Sequence, residues 1–387
     1  MPYLHYEQTD MKEKGGLDTA REIEGQPTLW QEIYNLILSE KNAIRSFLTP
    51  VLFISDLRII LTGAGSSAFI GEAAQGIFQE NTKRITSAIP TTDLITHPQL
   101  HFLNGIPTLL VSFARSGNSP ESLAAVELAN EYCNTIFHLV ITCNKDGALA
   151  QSNMPNAYYL TLPEKANDKS LAMTGSFTGM LLTAILIAKI DAIEKCRASL
   201  AVLIENANKL LGKYLPFVKT VAEQPYQRVI FLGSGPLLGI ARECHLKLQE
   251  LTDGKVVCKH DSFLGFRHGP RAVINKDTLI VYLFSRDEHV FLYERDLSIS
   301  IDSDARNIPT LSYNQHIALK NSVLDITFTN SDNKVNELAF VGAALVGQLL
   351  GFFHSLYLGL QPDNPSVSGA ISRVVQGVTI YPDTVTA

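Results

Sequence analysis

Short runs that are apolar at every position recur along this chain, separated by segments long enough for helices. Continuous apolar runs of this length, without the alternation of a half-exposed strand, predict strands of a parallel sheet covered on both faces. Arg58-Ile-Ile-Leu-Thr leads into Gly63-Ala-Gly65-Ser66-Ser67, which predicts a strand, a glycine turn and a helix from about Ala68. Arg228-Val-Ile-Phe-Leu followed by Gly233-Ser-Gly235 repeats the pattern, with Gly63 and Gly233 170 positions apart. Thr108–Val111 and Thr278–Val281 keep that offset, as do His138–Asn144 and Ile308–Asn314. A fourth pair of strands, Ala157–Leu162 and Asp325–Thr329, precedes two long apolar helices, Leu171–Ile190 and Val335–Leu358.

Strands alternating with helices in two matching halves predict an α/β fold of two doubly wound parallel sheets. The expected division is a helical N-terminal extension over 1–57, one α/β domain over 58–205, and a second over 206–387 ending in a tail. The junction is expected near Asn206–Pro225. In such sheets ligands bind beyond the carboxyl ends of the strands where strand order reverses. The loops after Leu61, Ser112 and Phe231 are therefore the ones to inspect.

Composition narrows the function. A net charge of -6 over 387 residues argues against a nucleic-acid partner, which needs clustered lysine and arginine. Five cysteines, none spaced as C-x-x-C, suggest buried free thiols rather than disulfides or a zinc site, and no metal is expected. Leu338–Leu360 carries no formal charge and is long enough to span a membrane, but a matching helix in the first half favours a core or interface helix. No membrane partner is expected. The polar stretch Glu7–Glu24 lacks a secretory h-region, which leaves the cytoplasm as the default compartment.

Two loops have the chemistry to hold an anion. Gly63-Ala-Gly65-Ser66-Ser67 lies between strand and helix, where backbone N–H groups and the helix dipole favour negative charge. Read alone, with Ala68, it also fits a dinucleotide fingerprint, but the acidic residue expected about 20 positions on is absent. The second loop, Arg115-Ser116-Gly117-Asn118-Ser119-Pro120, places Ser119 as N-cap and Pro120 in the first helical turn. Two serine-lined helix starts in one half suit a single phosphate better than a pyrophosphate, so neither nicotinamide nor any other cofactor is expected.

A third group rests on weaker local signals. Glu243, Lys247 and Glu250 share one face of a helix predicted over Gly239–Thr252, and on pattern alone that face is solvated. His268 sits in the turn Gly265-Phe-Arg-His-Gly-Pro270, and histidine can move protons near neutral pH.

Taken together these motifs resemble the sugar isomerase (SIS) superfamily, over about Arg58–Tyr381. The two serine loops look like its phosphate loops. Lys247-Leu-Gln-Glu250 with Phe266-Arg-His268-Gly-Pro looks like the isomerase active site of glucosamine-6-phosphate synthase. Within the superfamily the finer resemblance, which includes Arg373-Val-Val-Gln-Gly-Val378, is to galactosamine-6-phosphate deaminase/isomerases.

The resemblance implies a phosphosugar substrate held by Gly65, Ser66, Ser67, Arg115, Ser116, Asn118, Ser119 and Arg373, with Glu250, Lys247 and His268 catalytic. It also implies a homodimer in which His268 reaches the partner's site. Met1 is followed by Pro2 rather than a nucleophilic cysteine, so ammonia release is the expected direction. The implied reaction is galactosamine 6-phosphate to tagatose 6-phosphate and ammonia. Simple aldose/ketose isomerisation and a non-catalytic phosphosugar sensor are the alternatives.

Overall fold

The computed structural model describes residues 2–313, 319–328, 337–375 and 377–381. Asn314, Thr329, Val335 and Gln376, which belong to segments named above, lie outside the described residues. Among the described residues ten strands form two five-stranded sheets, all parallel. The first contains β1 (Arg58–Thr62), β2 (Ile85–Ala88), β3 (Thr108–Ala114), β4 (Ile136–Thr142) and β5 (Ala157–Thr161), in the order β2-β1-β3-β4-β5. The second contains β6 (Arg228–Leu232), β7 (Val257–Asp261), β8 (Thr278–Leu283), β9 (Thr310–Tyr313) and β10 (Ser322–Ile326), in the order β10-β9-β8-β6-β7. Read from the other edge this is the same topology, so the repeat in the sequence is a repeat in space.

The match extends to register. Arg58 faces Thr108, and Arg228 faces Thr278. Gly65 and Gly235 both cap a helix start at φ 56, a backbone region that side chains with a Cβ avoid. The helices that follow, Ser66–Thr82 and Pro236–Leu251, pack on each other, and Gly239 permits the contact: a Cβ there would lie 2.6 Å from the Ala73 nitrogen. Glu72 and Arg242, equivalent positions in the repeat, form an ion pair across this junction.

Three features add detail to the expected layout. The segment predicted as a junction is largely helical, running through Cys196–Lys209, a π turn and Leu215–Ala222. The N-terminal segment forms four helices, and two of its members are built into the core: Trp30 donates to Thr178 at 3.0 Å, and Gln26 bonds both Thr178 and Gln348. It is therefore part of the core scaffold. Among the described residues Ala339–Tyr357 is long and apolar enough to cross a membrane, but residues 344–355 are buried within the single chain. This helix belongs to the core, one of the two settings expected for it. The cysteines are free, and all except the half-buried Cys258 are buried, as expected.

Candidate active site

Strand order in the first sheet reverses between β1 and β3, so the loops after these strands flank one crevice. Ser66 and Ser67 open the Ser66–Thr82 helix and are both buried. Across the crevice, Ser119 caps the helix Pro120–Tyr132 by accepting from the Ser122 backbone N–H at 3.3 Å, and the two hydroxyls lie 2.7 Å apart. Asn118 is exposed, and its side-chain oxygen accepts from the Ala148 N–H at 2.9 Å, tying this loop to the one after β4. Ser122 belongs to this polar group although local sequence singled out only its neighbours.

Helix Pro236–Leu251 brings the second half to the same place. Lys247 and Glu243 are each only 1% exposed, contrary to the solvated face that their spacing suggests. The reason is packing: the helix is sandwiched between Ser66–Thr82 and the Ala344–Tyr357 helix, so the charged face points at the loop region of the first half. The Lys247 ammonium lies 2.5 Å from Glu250 Oε2 and 3.6 Å from Glu243 Oε1. Burial pulls the Lys247 pKa down, but the two carboxylates outweigh it and the net shift is upward. Burial, opposed by Lys247 and reinforced by Glu250, pushes Glu243 up to about 7. The Ser66 hydroxyl also lies near Glu243, which links this triad to the first serine loop.

Arg115 joins the two halves of the site. It is 8% exposed, burial pulls its pKa down, and its charged neighbours are Asp168, Arg373 and Glu250. Its guanidinium donates to the Leu171 and Ser170 carbonyls at 3.0 and 3.3 Å, and to the Arg373 carbonyl at 2.5 Å. Arg373 in turn donates to the Asp168 carbonyl and to Asn167 Oδ1 at 2.7 Å. The chain before the Gly175–Ala188 helix and the C-terminal segment are thus cross-linked beside the triad.

Asp168 anchors this arrangement from below. Its buried carboxylate accepts from the backbone N–H groups of Thr174, Gly175 and Ser176 at 2.8, 3.1 and 2.9 Å, which caps the helix four residues later than the apolar run begins. Beside it, burial and the Asp168 charge push the Glu22 carboxyl up to about 8. Between about pH 4.5 and 8 the folded chain holds a proton here that the unfolded chain releases. Stability from this group is therefore present below pH 4.5 and lost as pH rises through about 8, by up to about 1.4 kcal/mol per unit. Thermal melts of Glu22→Gln should show a higher Tm than wild type at about pH 8.5 and little difference near pH 4.5; an equal change at both would contradict this.

His268 is the predicted residue that the fold does not bring to the group. It lies in an exposed turn after the short helix Phe263–Phe266. The counterpart crevice of the second sheet also differs. Its cavity of about 560 Å³ is lined by Ser234, Leu237, Ser285, Arg286, Asp287 and His289 among others. There the buried Glu294 accepts from the Ser285 N–H at 2.7 Å, so an internal carboxylate already occupies a loop donor. Among the described residues no cluster of three or more histidine, cysteine or acidic side chains is arranged to hold a metal.

Comparison with known proteins agrees with the geometry. A SIS domain model matches residues 52–188. D-galactosamine-6-phosphate deaminase AgaS of Shewanella sp. (strain ANA-3) is 39% identical over 375 residues, covering 95% of this chain and 92% of that protein. A crystal structure from Clostridium novyi NT, provisionally named a tagatose-6-phosphate ketose/aldose isomerase, superposes with a TM-score of 0.92 at 37% identity and covers 99% of each chain. The tagatose-6-phosphate ketose/aldose isomerase structure from Escherichia coli gives 0.84 at 34% identity, covering 95% of this chain and 97% of that one.

Proposed function

Because this chain belongs to the AgaS family of SIS-domain enzymes, we propose that it converts D-galactosamine 6-phosphate and water to tagatose 6-phosphate and ammonia. The observation that carries the proposal is the ion pair of buried Lys247 with half-buried Glu250, delivered by the second half to the crevice of Ser66, Ser67 and Arg115. An ionisable pair held in a crevice next to anion-binding loops is suited to proton transfer on a bound phosphosugar.

The phosphate docks on the first turns of the Ser66–Thr82 and Pro120–Tyr132 helices, where Gly65, Ser66, Ser67, Ser116, Asn118 and Ser119 gather hydroxyl and backbone donors. The Glu294 carboxylate makes the second crevice a poor place for a phosphate. Arg115 and Arg373 add positive charge at the sugar end and hold the surrounding backbone. Glu250 takes the C2 proton, the electron pair forms the C1–C2 double bond of an enolamine as the C1 carbonyl electrons move onto O1, which takes up a proton from water, and the proton on Glu250 returns at C1. The resulting C2 imine is hydrolysed by water, which releases ammonia and leaves the ketose. Lys247 offsets charge that develops on the sugar oxygens.

Ring opening needs a proton shuttle between O1 and O5, and His268 is assigned that role from a second subunit. Its exposed turn is free to reach across a dimer.

The isomerase names of the solved relatives support a second reading, aldose/ketose isomerisation without nitrogen loss. One assay separates the two. Galactosamine 6-phosphate, glucosamine 6-phosphate and tagatose 6-phosphate are incubated in turn, and ammonia and sugar products are measured. The proposal expects ammonia and tagatose 6-phosphate from the first; conversion of tagatose 6-phosphate to an aldose, with no ammonia from either amino sugar, would replace it.

A further inference from the structure

Glu243 has no part in the steps above, yet the fold places it inside the site. Its side chain is 1% exposed, and neither carboxylate oxygen makes a close hydrogen bond, the Ser66 hydroxyl and the Lys247 ammonium being the donors that approach it. Buried carboxylates normally collect donors, because desolvating an anion without them is unfavourable. Here the nearest cation is Lys247, 3.6 Å away and already in contact with Glu250 at 2.5 Å. One ammonium is therefore bracketed by two carboxylates on a single helix, at i−4 and i+3.

We propose that Glu243 is a positioning residue: it is the alternative counter-ion that receives the Lys247 ammonium while Glu250 carries the proton taken from C2. The inference rests on the reading of Glu250 as the C2 base. A carboxylate gripped by an ammonium is a weakened base, so Lys247 must loosen its hold as the C2–H bond breaks. When the O–H bond forms on Glu250 that group becomes neutral and attracts the ammonium less. A movement of about 1 Å then brings Lys247 within the usual range of a charged hydrogen bond to Glu243. Lys247 changes partner without changing its protonation, and Glu250 is left free to return the proton to C1. Without Glu243, the ammonium would face a neutral carboxyl in a buried site, with no anion on its own helix.

The surroundings leave this role to Glu243. Ser66 of the neighbouring helix approaches it but carries no charge. Glu72, on that same helix, is already paired with Arg242. Arg115, from the end of β3, faces Lys247 and Glu250 and has the same sign as the lysine. His245, which also faces the pair, packs against His260 with ring centroids 4.6 Å apart and tilted by 34°, and burial keeps its pKa low.

The test compares Glu243→Gln, Glu243→Asp and Glu250→Gln for kcat, KM and C2–H exchange across pH, with thermal melts as a folding control. Glu243→Gln should lower kcat and exchange by about tenfold or more while KM stays within about twofold. The acid limb of its kcat profile should move to lower pH, since one negative charge has left the site. Glu243→Asp, which keeps that charge on a shorter arm, should recover part of the rate and the wild-type limb. Unchanged kcat and limb in Glu243→Gln, or an Asp variant as impaired as the Gln variant, would overturn the proposal. If Glu243→Gln does not fold, the Asp variant decides: retained exchange with a wild-type limb supports it, and lost exchange overturns it. Glu250→Gln separates the two levels, because exchange surviving in that variant would mean that the base itself has been misassigned.

Discussion

Replacing Glu250 by glutamine is expected to abolish exchange of the substrate C2 proton while leaving phosphosugar binding nearly intact. The amide preserves shape and can still contact Lys247, but it cannot accept the proton. Positioned acid–base groups contribute about 10² to 10⁴ in rate, so kcat should fall by that factor. KM should change little, because the loops at Ser66 and Ser119, proposed to hold the phosphate, lie on the first-sheet side of the crevice and are untouched. The lost carboxylate also leaves Glu243 as the sole anion beside Lys247, so the ammonium should stay charged and the helix folded. A variant that released ammonia at the normal rate would remove Glu250 from the chemistry.

The second large effect concerns His268. It lies on the surface of its own chain rather than beside Lys247 and Glu250, so a role in ring opening requires a second subunit. His268→Ala and Glu250→Gln chains should each be nearly inactive alone. Mixed under conditions that let subunits exchange, they should recover about a quarter of wild-type activity, because half of the dimers are hybrids and each hybrid carries one intact site. Sedimentation of the mixture would confirm that dimers re-formed. Absence of recovery in re-formed dimers, or full activity in a stable monomer, would contradict the shared site.

These outcomes depend on features that differed in how visible they were along the chain. The strands and glycine turns were legible because each is a local signature: apolar runs for buried strands, and glycine where the backbone takes φ 56. Ser119 and Pro120 likewise announced a helix start that is present at Pro120. The triad was not legible in the same way. Glu243, Lys247 and Glu250 have the spacing of a solvated face, and only the packing of two other helices buries Glu243 and Lys247 and leaves Glu250 half-buried.

Asp168 escaped notice because its work is done through the fold. It caps a helix through a loop, and it faces Arg115 and Glu22, which are far from it in sequence. That capping also explains why the apolar run from Leu171 becomes helical only at Gly175. Arg373, expected at the sugar, is seen holding Asn167 and Asp168, a contact between residues more than 200 positions apart. Such long-range partners leave no local pattern.

The most direct test of the account is to follow galactosamine 6-phosphate with this enzyme in D₂O by proton NMR, measuring ammonia in the same sample. The C2–H signal should disappear as tagatose 6-phosphate forms, with one ammonia released per ketose. Ketose formation without ammonia, or an unreacted amino sugar that keeps its C2–H signal, would contradict deamination through a C2 carbanion-type intermediate at Glu250.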